Sequence, residues 1–189
     1  MTSAQHLERL LPSNAQTWLA TARQQPLATT FPAAARKVGR ERLTPAWTTD
    51  QATRALLLQG ASAADIIAVY RYGDAAEKLA VLHALSVADL ADALQDQALP
   101  IIEDAIRTND QRLVAAALGP YATQYLPQPA FRQAVLKCVF ANIPLAVVDG
   151  LPQRVDQELI RMMSDFATER SAAGRDLPAD LEAYLATPP

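Results

Sequence analysis

Cysteine, histidine and glycine are all scarce in this chain, and each scarcity closes off a class of chemistry. One cysteine, Cys138, permits no internal disulfide, and with only His6 and His83 beside it the chain lacks the clustered ligands that zinc requires. No metal and no cofactor is therefore expected. The six glycines fall into no P-loop, Gly-x-Gly-x-x-Gly or Gly-x-Ser-x-Gly spacing, which removes the nucleotide-cradling and nucleophile-elbow readings. Apolar runs are a few residues long, far below the ~20 needed to span a bilayer. The opening Met1-Thr2-Ser3-Ala4-Gln5-His6 has neither the basic nor the apolar region of a secretory signal, so a cytoplasmic location is expected. A net charge of -3, with both signs spread along the chain, leaves no basic stripe for a phosphate backbone, and nucleic acid is set aside as a partner.

What is present is alanine, leucine and proline. Half the residues are apolar and β-branched runs are very short, which predicts an all-α protein. Its 189 residues read as a single helical domain spanning 1–189, with residues 1–12 and 186–189 less ordered. The thirteen prolines mark joints between helices, because proline is tolerated at a helix start and breaks its interior. Ser13-Asn14-Ala15-Gln16 reads as a capping box, Pro32 to about Gly39 as a short helix carrying Arg36, Lys37 and Arg40, and Asp50 as the cap of a helix through Leu58. Ser62 opens a further helix through Tyr70. Asp156 to Ala173 is the most regular amphipathic stretch, followed by a short helix from Pro178 to Leu185 and a frayed end. The helix after Thr108-Asn109-Asp110 is apolar on almost every side, which predicts a central position. The segments beginning at Asp74, Asp110, Phe131 and Gln157 repeat one theme, a polar turn or start feeding an apolar helix. That pattern suggests antiparallel helix pairs stacked as a degenerate HEAT-like α-solenoid; a compact multi-helix bundle is the alternative.

Several polar groups gather where helices begin. Arg71-Tyr72-Gly73-Asp74 places a cation and an aromatic ring beside the next helix start, a combination that holds an anion. The structural reading of the same residues is a capping box between Asp74 and Glu77, with Arg71 paired elsewhere. Asn109 and Asp110 have the same two readings, ligand contact or helix cap. Arg36 and Arg40 follow Phe31-Pro32 and either rim an anion pocket or form a solvated face. Lys137 stands on an otherwise apolar helix and must reach solvent or pair with a carboxylate such as Asp110 or Asp165; opened into a cavity, it would suit Schiff-base or general-base chemistry. Cys138 reads as a structural thiol, and His83 as a half-buried histidine.

The blocks Phe31-Pro32-Ala33-Ala34-Ala35-Arg36-Lys37-Val38-Gly39-Arg40, Tyr70-Arg71-Tyr72-Gly73-Asp74-Ala75-Ala76-Glu77, Arg107-Thr108-Asn109-Asp110, Ala115 to Ala122 and Gln133 to Cys138 resemble the EboA family over about residues 30–175. The resemblance implies a bacterial protein encoded beside a prenyltransferase-like membrane protein and enzyme homologues, in a pathway that makes or exports secondary-metabolite precursors. It implies no catalytic residue. The expected function is a non-catalytic helical-repeat adaptor. It would hold a pathway protein or a small anionic intermediate in a groove lined by Arg36, Arg40, Arg71, Tyr72, Asp74, Asn109, Asp110 and Lys137. A cofactor-free enzyme acting on a prenyl or aromatic precursor through Lys137, Asp110 or Tyr72 is the alternative, and a structural oligomer burying Trp18 and Trp47 between chains is a third reading.

Overall fold

Helix formation here follows the alanine and leucine content. The computed structural model describes residues 1–186, and among them it holds fourteen α-helices, one 3-10 turn and no strand. The expected frayed end at Thr187-Pro188-Pro189 lies outside the described residues. The chain divides into two compact units, Met1–Ala105 and a second that begins at Ile106.

In the first unit α1 (Ala4–Leu10), α2 (Ser13–Ala22), α3 (Leu27–Val38) and α6 (Ala75–Ala84) all pack on α4 (Thr49–Leu57). α5 (Ala63–Tyr72) lies against α3 and α6, and α7 (Ala88–Leu94) against α1. α8 (Leu99–Arg107) ends just past the boundary. The central helix is thus α4, in which every residue but Gln51 is buried, Asp50 and Arg54 included. The sequence had pointed to the helix after Asp110 instead.

Residues 1–12 hold α1 with Leu7 fully buried, and Ala88 N–H donates to Thr2 C=O (2.9 Å) and Ala4 N–H to Asp89 (2.7 Å). Several local expectations about helix starts are corrected. Ser13 is the first residue of α2 and makes no cap; Pro12 precedes it, and Gln16 donates back to the Leu11 carbonyl at 2.9 Å. α3 begins at Leu27 and runs through Pro32. Thr48 caps α4, with Gln51 closing the box, which frees Asp50 to turn inward. Trp47 is only 6% exposed within its own chain, so its burial requires no second copy.

The second unit contains α9 (Gln111–Ala117), α10 (Pro120–Tyr125), α11 (Gln128–Phe140), the 3-10 turn Leu145–Val147, α12 (Leu151–Arg154), α13 (Gln157–Ala172) and α14 (Ala179–Ala186). α9 buries Leu113, Val114 and Ala117 while Gln111 and Arg112 stay exposed, so it is a one-sided helix. α11 packs Phe131, Ala134, Val135, Cys138 and Val139 inward, and α13 contributes Leu159, Met163 and Ala167. Phe140, at the end of α11, is 72% exposed with its ring edge-on to Phe166. Arg154 sits 4.1 Å over the Phe131 ring and donates to the carbonyls of Ala122, Thr123 and Leu126 at the C-terminal end of α10, adding to the Leu126 N–H that Ala122 already accepts. Gly150 adopts φ 66, and a Cβ there would fall 2.2 Å from Thr123 Cγ2, so glycine is required on both conformational and steric grounds.

His83 supplies a pH dependence. Half-buried and edge-on to Trp47, with ring centroids 6.3 Å apart, it has its pKa pushed down by burial. The folded state therefore refuses a proton that the unfolded state accepts near pH 6.5. Stability supplied by neutral His83 is present above that pH and is lost as pH falls below it. Urea unfolding at pH 7.5 and 5.5 is expected to show a drop in the midpoint that His83→Leu largely removes; an equal drop in both proteins would assign it to other groups.

Candidate functional site

A well-lined cavity of the first unit lies where α3, α5 and the start of α6 meet. Its volume is about 500 Å³, within the roughly 300–1,000 Å³ of small-molecule sites. Helical spacing builds the walls: Ala28, Phe31 and Pro32 come from α3 after Pro26 and Leu27, and Asp65, Ala68, Val69 and Tyr72 form one stripe of α5. Gly73 and Glu77 complete the lining. Gly73 is needed for closeness, since a Cβ at this position would lie 2.7 Å from the Val69 carbonyl oxygen and 2.9 Å from Glu77 Cβ.

Behind this cavity stands a buried charge network that sequence reading missed. Arg54 Nη1 donates to Asp50 at 2.8 Å and Nε to the Phe31 carbonyl at 3.0 Å, with the guanidinium 5.4 Å from the Phe31 ring centroid. Its Nη2 lies 4.0 Å from Glu77, and Thr48 Oγ1 donates to the other Asp50 oxygen at 2.7 Å. Burial lowers the Arg54 pKa against the raising effect of Asp50 and Glu77. The signal available in sequence was the i, i+4 spacing of Asp50 and Arg54, which ordinarily marks a solvated face.

The expected site residues fall into distinct roles. Tyr72 is 83% exposed and lines the cavity. Asp74 caps α6, accepting from the Glu77 N–H at 2.8 Å while Glu77 accepts from the Asp74 N–H at 3.2 Å. Arg36 and Arg71 are exposed and outside the lining, and Arg40 is an exposed side chain 4.0 Å from Asp50. In the second unit Asp110 caps α9 and accepts from Arg112 through both oxygens at 3.0 and 2.7 Å; those bonds hold its carboxyl down at about 2. Lys137 and Asn109 line a smaller cavity of about 140 Å³ with Gln111 and Phe140. Neither carboxylate expected to pair with Lys137 does so: Asp110 is held by Arg112 and Asp165 by Arg161 at 2.6 Å. Cys138 is fully buried, and burial pushes its thiol up to about 12, so the protonated, unreactive form prevails. Among the described residues no group of three or more His, Cys, Asp or Glu is placed to hold a metal, and no helix is long and apolar enough to cross a membrane.

Helices throughout, with an apolar, acid-bearing cavity in the first unit, define an all-α protein with a small-molecule-sized pocket. Residues 19–185 match the family described as metabolite traffic protein EboA, and the chain belongs to that family. The match begins before residue 30 and takes in the last four residues of α2, which the sequence reading had left outside. No curated protein and no solved structure matches the chain.

Proposed function

We propose that this protein is a non-catalytic binding protein that holds a pathway metabolite in the cavity between α3, α5 and α6, and presents it to pathway partners. The observation that carries the reading is the cavity itself: about 500 Å³, walled by Phe31, Pro32, Ala68 and Val69. Its two carboxylates are already engaged, Glu77 by the Asp74 N–H and Asp65 by the Ser62 hydroxyl at 2.7 Å. Groups fixed in capping roles suit orientation of a ligand better than proton transfer. The family description as a metabolite traffic protein supports the same role. Exposed Arg36, Arg40 and Arg71 lie outside the lining and offer cations to an acidic partner surface, which is where the adaptor part of the role resides.

Filling the cavity tests this. Ala68→Trp is expected to leave the helical circular dichroism intact and to abolish metabolites that co-purify with the wild type, as read by mass spectrometry of denatured extracts. Identical small-molecule content in both proteins would remove the cavity from consideration.

A further inference from the structure

We propose that the ligand of this cavity carries a protonated amine on an apolar or aromatic body. The proposal rests on the binding role assigned above and specifies the chemistry of the ligand. Three independent features of the wall present negative potential or hydrogen-bond acceptors.

The first is a helix carbonyl without its helical donor. Pro32 lies inside α3 and has no N–H, so the Ala28 carbonyl loses the i+4 donor that an ordinary residue would bring, and Ala28 and Pro32 both line the cavity. The second is the C-terminal end of α5. Tyr72 is its last residue and Gly73 its extended C-cap, and both belong to the wall, as does Val69 in the final turn. The carbonyls of a last helical turn lack intrahelical donors, and the helix dipole makes that end attractive to cations. The third is the pair of carboxylates, Asp65 and Glu77.

No lysine or arginine lines the cavity to offset these. The nearest buried cation, Arg54, has its side chain 3% exposed and directs N–H groups to Asp50 and the Phe31 carbonyl; its Nη2 lies 4.0 Å from Glu77 and offsets part of that carboxylate's charge. A ligand must therefore bring the donors and the positive charge. The exposed Tyr72 ring at the rim adds a face on which an ammonium group is favoured.

Calorimetric titration of the full chain with three matched probes, naphthylethylamine, naphthylethanol and naphthylacetate, separates the possibilities. The amine is expected to bind tightest, by at least about tenfold over the carboxylate, the effect of one charge-assisted hydrogen bond. Glu77→Gln keeps the capping-box chemistry, and Asp65→Asn changes the other wall carboxylate; each is expected to shrink the preference. Equal binding of all three probes, unchanged in both variants, overturns the amine assignment while the cavity remains a binding site. Binding of all three that survives Ala68→Trp overturns the cavity as well.

Discussion

Arg54→Ala is expected to lower the unfolding free energy by about 3–5 kcal/mol, the usual result of removing one partner from a buried ion pair. Two things are lost together. Asp50, with its side chain 8% exposed, loses its 2.8 Å partner in a site nearly closed to water, and the Phe31 carbonyl loses the Arg54 Nε–H donor. The loss comes from leaving Asp50 unpaired more than from any large net gain in forming the pair. Replacing both charges, as in Asp50→Leu with Arg54→Met, is accordingly expected to recover most of the stability. Guanidinium unfolding of the three proteins decides the point: equal destabilisation of the single and double variants would show that packing, and not the orphaned charge, sets the loss.

Phe131→Ala is expected to cost a similar amount, about 3–5 kcal/mol, through a different route. The ring is fully buried and lies beneath the Arg154 guanidinium at 4.1 Å. Removing it opens a cavity in the second unit and takes away the surface that holds Arg154 in reach of the Ala122, Thr123 and Leu126 carbonyls. A double-mutant cycle with Arg154→Met is expected to give a coupling of about 1–2 kcal/mol, since contacting residues in one network are not additive. Strict additivity would mean that the ring and the guanidinium act independently.

The helical class was legible because it depends on composition and local spacing. Ser62, Asp74, Asp110 and Asp156 cap helices as their sequence contexts indicate, each accepting a backbone N–H in the first turn. Proline was a less faithful guide. Pro32 was read as a start, yet α3 continues through it with Thr30, Phe31 and Ala34 buried on either side, so tertiary burial outweighs the lost hydrogen bond. The buried pair on α4 was invisible for a related reason: Thr-Asp-Gln-Ala-Thr-Arg looks like a solvent face, and only the packing of α1, α2, α3 and α6 around it makes it an interior. Of the candidate residues named from sequence, Tyr72 stands at the rim of the α3–α5–α6 cavity and Asn109 and Lys137 line the smaller one. Sequence reading did not find Ala28, Phe31, Val69 or Glu77 as wall residues, because a cavity is made by elements that meet in space and leaves no mark in the periodicity of any one of them.

The sealed thiol at Cys138 has a practical corollary. With the chain's one native cysteine fully buried and held protonated, a cysteine introduced in place of exposed Tyr72 would be the sole thiol open to a maleimide dye in the folded protein. The cavity rim can thus carry a spectroscopic reporter on an otherwise wild-type background, with no cysteine-free parent to engineer first.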